Sequence, residues 1–328
     1  MIPATLVSFA VSGLLAWLLA HAKGHWQILD IPNERSLHTR PTPRTGGIAV
    51  LAGLAAGLFS AWAWNGYSLT NWPLTLAIAI LAIVALIDDS HTLGAGLRLL
   101  AQIGAVSLLL LTRESTPLDA LALIAAALFL VWMINLYNFM DGMDGFAGGM
   151  AVTGFGTFAL LAWQAGYPDL ALGCAVVVAA AGGFLLLNFP PARLFMGDTG
   201  STVLGLLAGV VILTAHREAI LPVWLGILVF SPFIIDASIT ISRRLLRGEK
   251  FWQAHKSHYY QRLVESGWGH RRTVLVEYVL MIACSASAVA AASQPLARQT
   301  IIIAGWAVIY AAIIYSIHRV EQRRESQT

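Results

Sequence analysis

Eleven stretches of this chain, at about 2–20, 46–64, 70–87, 99–112, 118–134, 150–166, 170–187, 201–215, 220–241, 274–293 and 299–317, each carry at most one charged side chain. A bilayer core of roughly 30 Å is crossed by about 20 apolar residues in a helix. Inside it every backbone polar group has to be satisfied within the segment. The expected fold is therefore all-α: a polytopic integral membrane protein of about eleven transmembrane helices. Ten is the open alternative, because 99–112 is short and only Gly166, Tyr167, Pro168 and Asp169 divide the apolar stretch from 150 to 187. The chain reads as one membrane domain, 1–328, with larger loops at 21–45 and 243–273. Only Met1 precedes the first run, so that run is expected to be a retained span and not a removed signal peptide. Charged residues are 11% of the chain, against about 25% in soluble domains, too few to cover a soluble surface. That excludes a secreted scaffold and a nucleic-acid-binding domain despite a pI near 9.0. Cys174 and Cys284 lie inside apolar runs, which argues against a disulfide framework.

With the N-terminus outside, 17 of the 20 Lys and Arg residues fall on one side of the membrane, leaving Arg113, Arg217 and Arg298 on the other. The positive-inside bias then predicts an outer N-terminus and a cytoplasmic C-terminus. The polar clusters fall on the same cytoplasmic side.

Asp88-Asp89 closes the third run, where two acids at a helix C-terminus oppose the macrodipole and call for a cation or partner. Asn135, Asn138, Asp141 and Asp144 stand three apart, so on an unbroken helix they would drift around the axis. Gly142 and Gly145 predict that the helix breaks there, around a polar cavity. Asn188 leads through Pro190-Pro191 to Met196-Gly197-Asp198-Thr199-Gly200-Ser201, which opens the eighth run. Amides at that helix start are expected to be free for phosphate, with Asp198 as a hard oxygen ligand. The bland alternative for Asp198 is a helix cap. His255-Lys256-Ser257-His258, then Arg262, His270, Arg271 and Arg272, form a basic loop that suits an anion better than zinc, since the ligand set is incomplete.

Together, Pro32-Asn33…Arg35…His38…Pro43-Arg44…Gly46-Gly47, Asp88-Asp89, Asn135-x-x-Asn138-x-x-Asp141-Gly-x-Asp144-Gly and Met196-Gly-Asp-Thr-Gly-Ser201 resemble the polyprenyl-phosphate N-acetylhexosamine-1-phosphate transferases, glycosyltransferase family 4. The match runs in order over nearly the whole chain and is nearer to the initiators of O-antigen and related surface polysaccharides. The resemblance implies Mg²⁺, with Mn²⁺ as a substitute, and a UDP-N-acetylhexosamine donor. It implies a bacterial inner membrane, undecaprenyl phosphate as acceptor within the membrane lipid and UMP as leaving group, and admits a homodimer.

By that resemblance Asp198 is the metal ligand and Asn138 joins it. Asn188 and Phe195 surround the uracil, while Asp141, Asp144 and Arg44 line the substrate pocket. Asp88 and Asp89 are the catalytic pair: Asp88 lies near the lipid phosphate, to orient or deprotonate it, with an aspartyl-phosphate as the lesser route and Asp89 beside it. His255 and His258 match the sugar-side loop loosely. Muramoyl-pentapeptide translocases carry three consecutive histidines in that loop; this chain has His255-Lys-Ser-His258-Tyr-Tyr-Gln-Arg262. Donor choice is expected to rest on 243–273, with Tyr259, Tyr260 and Trp268 available to an apolar sugar face. GlcNAc, FucNAc and QuiNAc all stay open. The rival class is a transporter of a polar or anionic substrate, since intramembrane acids also mark ion pathways.

Overall fold

The computed structural model describes residues 1–22, 28–32, 36–67, 71–112, 119–249 and 255–325. Asn33 and Arg35 of the first motif lie outside the described residues. The helices are α1 (Ile2–His21), α2 (Gly46–Asn65), α3 (Trp72–His91), α4 (Ala95–Leu111), α5 (Ala120–Phe139), α6 (Phe146–Gln164), α7 (Pro168–Asn188), α8 (Gly197–Arg217), α9 (Val223–Val229), α10 (Ser231–Leu246), α11 (Tyr259–Leu263), α12 (Gly269–Ala291) and α13 (Leu296–Glu325). A two-residue antiparallel pair, β1 (Leu29–Asp30) and β2 (Thr42–Pro43), joins the ends of the first loop.

All eleven apolar runs are helical, as expected. Among the described residues nine helices are long and apolar enough to cross a membrane, and α9 with α10 makes a tenth span bent by 88°. The count of eleven rests on α4, which has only 17 residues. The bend falls at Phe230, and Pro232 opens α10, because proline has no N–H to continue the ladder and suits a first helical turn. The 243–273 segment is not one loop: α10 runs on to Leu246, and α11 leads through a π turn (Val264–Trp268) into α12.

In lipid, helices associate through small residues and polar cross-links, because apolar burial alone does not favour helix over lipid. α1 is tied to α7 by Ser8 Oγ donating to Val176 O (3.0 Å) and Ser12 Oγ to Ala180 O (2.7 Å). α5 and α8 touch where Gly205 leaves no room, since a Cβ there would stand 2.6 Å from Met133 O. That close approach sets Asn138, near the C-terminal end of α5, beside the first turn of α8.

Candidate active site

The ends of α3 and α5 and the starts of α6, α8 and α12 converge at one end of the bundle, so the polar clusters share a single site. Gly46 N donates to Phe195 O (2.8 Å) and Gly47 N to Met196 O (2.7 Å), and Phe195 N donates to Pro43 O (2.8 Å). A Cβ on Gly47 would overlap Gly200, which explains the paired glycines of the first motif.

Asp89 is buried, only 2% exposed. Its Oδ1 accepts Asp198 N–H (3.1 Å), and its Oδ2 accepts Thr199 N–H (3.1 Å) and Thr199 Oγ–H (2.7 Å). Arg44 donates to the Asp89 carbonyl through Nη2, and its Nε stands 3.8 Å from Asp89 Oδ1. The expectation of free phosphate-binding amides at Asp198 and Thr199 is therefore corrected: Asp89 occupies both as the helix cap. The macrodipole favours an anion there, and Asp89 supplies it. Its two oxygens are spent on positioning α8, which leaves Asp88 as the acid of the pair that meets Arg98. Asp88 accepts Leu93 N–H and receives Arg98 Nη1 at 3.0 Å. The same Arg98 nitrogen lies 3.5 Å from Asp198 Oδ2, so one guanidinium bridges two carboxylates.

The helix does break after Phe139, and the four three-spaced polar residues diverge. Asn135 pairs with Gln102 of α4, Nδ2 to Oε1 at 2.6 Å. Asn138 Nδ2 donates to Asp198 Oδ1 (2.9 Å) and to Ser201 Oγ (3.0 Å). Asp141 lines a polar cavity with Arg44, Asp89 and Asp198. Burial and the nearby charges of Asp198 and Asp89 hold its carboxyl well above the usual carboxylate range, against one opposing N–H from Gly197. Asp144 Oδ1 lies 3.0 Å from His270 Nδ1, and its Oδ2 accepts Ala192 N–H at 3.0 Å. Asn188 also lines the cavity but has both amide ends engaged, Oδ1 by Gly145 N–H and Nδ2 on Leu194 O, each at 2.9 Å. Its role as a direct uracil contact is thus replaced by tying the 188–194 turn to the start of α6. Phe195 keeps a ring edge against His38, with centroids 4.9 Å apart.

This cavity, about 130 Å³, shares His38, Asp144, Phe195 and His270 with a larger one of about 600 Å³ beneath Arg40, Pro190 and Arg271. On its other side a mainly apolar groove of about 390 Å³ runs between α4 and α5, past Leu99, Leu128 and Trp132. Asn138 and Asp198 line both the polar cavity and the groove.

His255 and His258 are not in this cavity. His258 is 2% exposed, and its Nδ1 lies 3.1 Å from Asp236 Oδ1. Asp236 also accepts the N–H groups of Tyr259 (3.0 Å) and Tyr260 (3.1 Å). An acid within an apolar helix has to find such partners, and the start of α11 supplies them. Tyr260 is fully buried, its hydroxyl donating to Phe139 O, so the expected sugar contacts from His258, Tyr259 and Tyr260 are corrected to packing and capping. His255 faces a separate basic cavity with Arg244 and Lys256.

Sequence reasoning gave Arg98 and Gln102 no place in the site, and read His270 only as part of the basic loop and not as the partner of Asp144. Arg98 and Gln102 stand four apart on an otherwise apolar helix, hence on one face, and that spacing was a usable signal. Nothing local distinguishes His270 from its basic neighbours.

Among the described residues no three His, Cys, Asp or Glu side chains form a ready-made metal cluster. Asp198 and Asp141 nonetheless suit Mg²⁺, which takes one or two carboxylates and completes its shell with water and substrate phosphate. Asn138 turns Nδ2 toward Asp198, so its Oδ1 is the atom left for a cation.

Residues 71–216 match the family described as Glycosyl transferase family 4. A probable undecaprenyl-phosphate N-acetylglucosaminyl 1-phosphate transferase of Bacillus subtilis is 30% identical over 80% of this chain and 76% of its own length. A decaprenyl-phosphate N-acetylglucosaminephosphotransferase of Mycolicibacterium smegmatis is 29% identical over 93% of this chain and 87% of its own. A phospho-N-acetylmuramoyl-pentapeptide-transferase of Levilactobacillus brevis is 29% identical, over 70% and 78%. With the ordered motifs now gathered into one site, the chain belongs to glycosyl transferase family 4, the superfamily of polyprenyl-phosphate hexosamine-1-phosphate transferases.

Proposed function

We propose that this protein transfers an N-acetylhexosamine-1-phosphate from a UDP-sugar to undecaprenyl phosphate at the cytoplasmic face, releasing UMP and starting a cell-surface polysaccharide. The observation that carries this reading is the meeting of a polar cavity and an apolar groove at Asn138 and Asp198. A water-soluble donor and a lipid acceptor need such a junction, and a transporter does not.

In this reading the donor's nucleoside lies in the polar cavity and its larger neighbour, against Phe195 and the Asp144–His270 pair. The prenyl chain follows the apolar groove, and its phosphate reaches Arg98. An ionised phosphate oxygen of the lipid attacks the sugar-bearing phosphorus of the donor. The bond from that phosphorus to the bridging oxygen breaks, and UMP leaves with the electron pair. The attacking oxygen carries no proton at neutral pH, so Asp88 serves to hold Arg98 rather than to act as a base. Mg²⁺, when bound at Asp198 with Asn138 and Asp141 beside it, offsets the charge of the diphosphate. Asp89 acts one step back, by fixing the backbone on which Asp198 stands.

Purified protein given UDP-GlcNAc, UDP-FucNAc or UDP-QuiNAc should release UMP only when undecaprenyl phosphate and Mg²⁺ are both present. UMP release independent of the lipid would sink the transferase reading. Selective release with one donor would identify the hexosamine.

A further inference from the structure

The basic cavity at the end of α10 lies apart from the candidate active site, with no lining residue in common. It is about 470 Å³, and Arg243, Arg244 and Arg247 on α10 face Lys256 and Arg262 across it. Carboxylates answer three of these five cations: Glu249 lies 3.3 Å from Arg244, Glu265 lies 3.1 Å from Lys256, and Glu321 pairs with Arg262. Among the described residues Arg243 meets neutral groups, Tyr259 Oη at 2.9 Å and His318 Nε2 at 3.3 Å. Arg247 has no carboxylate partner among the described residues. Asp236, the acid that acts on His255, is spent on His258 and the start of α11.

His255 lines the same cavity. Burial, then the His258 and Arg244 charges, push its imidazole down to about 4, so it is neutral at physiological pH. Its Nδ1 faces the N–H (3.3 Å) and hydroxyl (2.8 Å) of Ser257, which places its own proton on Nε2 as a donor. A positive surplus, fork-shaped guanidinium donors and a neutral imidazole donor around one cavity suit a phosphate oxygen set. The cavity adjoins the membrane end of a spanning helix, where phospholipid headgroups lie.

We propose that Arg243, Arg247 and His255 form a second anion site, for a phosphate-bearing ligand distinct from the sugar-nucleotide donor. A phospholipid headgroup and free inorganic phosphate share that chemistry. Full-length protein in neutral detergent would be titrated with short-chain phosphatidylglycerol and, separately, with inorganic phosphate. UDP binding would be measured by calorimetry on the same samples. Each arginine at a headgroup surface is worth roughly a 5-fold change in affinity, so Arg243→Gln/Arg247→Gln should weaken binding about 30-fold and leave UDP binding unchanged. Arg247→Gln alone, at the exposed end of α10, should show about 5-fold and guards against a folding defect in the pair. Loss confined to phosphatidylglycerol assigns the site to lipid, and loss confined to inorganic phosphate assigns it to a soluble ligand. Equal affinity in wild type and variants, or no binding of either probe, overturns the proposal. So does loss of UDP binding, which would make these cations part of the donor site.

Discussion

Asp89 accepts the backbone N–H of Asp198 at 3.1 Å, so the carboxylate that ends α3 holds the residue that opens α8. The link separates the roles of two adjacent acids. Asp89→Asn leaves one oxygen where two served, and sets an amide N–H against the N–H groups of α8. An unsatisfied buried donor costs about 1–3 kcal/mol. Asp89→Asn should therefore lower the melting temperature and weaken Mg²⁺ and donor binding together. An unchanged melting curve would contradict the capping role.

Asp88→Asn should behave differently. It weakens the hold on Arg98, which faces the groove, and does not touch the start of α8. Calorimetry should show UDP-sugar binding retained while turnover falls. Loss of nucleotide binding would assign Asp88 to the donor side.

Asp198→Asn preserves shape and removes the charge shared by cavity and groove. Turnover should drop by at least about 100-fold in a protein that still folds, because preorganised charge at a transferring phosphoryl group is worth several kcal/mol. Near wild-type activity would reduce Asp198 to a helix-start residue.

His255 gives a pH signature with a definite sign. Its imidazole is depressed from 6.5 to about 4, so the folded protein binds fewer protons than the unfolded chain between those values. Its contribution to stability is complete above about pH 6.5 and is lost as pH falls toward 4. The melting-temperature advantage of wild type over His255→Gln should be flat from pH 7 to 8 and shrink below 6.5. An advantage that grows on acidification would mean that His255 is held protonated.

The spans were legible because a bilayer permits few alternatives to an uncharged helix. The break at Phe230 was also written locally, in Pro232, yet continuous apolar character masked it. Asp141 and Asp144 line the polar cavity, and their glycine-broken polar spacing is a local signal. Asp89 and His258 were not legible in the same way. Their partners, Thr199 and Asp236, come from distant segments, and a cap made across 110 residues leaves no periodicity to read. Arg98 entered the sequence argument only as a topology charge, although its spacing to Gln102 marked a polar face.

The basic asymmetry predicts an outer N-terminus and a cytoplasmic C-terminus, and reporter fusions test that expectation. A reporter after Arg319 should be active only if it works in the cytoplasm, and one after Gly166, between α6 and α7, only if it works outside. Matching signals from both sites would contradict the arrangement.

The central claim is that a sugar keeps its phosphate as it crosses from the polar cavity to the lipid in the groove. The most direct measurement uses UDP-GlcNAc, or the donor selected by the panel, labelled separately in its two phosphates, with undecaprenyl phosphate and Mg²⁺. The sugar-linked phosphate label should enter the organic-soluble lipid product while the nucleoside-linked label appears in UMP. If both labels stay in water, or the lipid gains sugar without the labelled phosphate, the account is wrong.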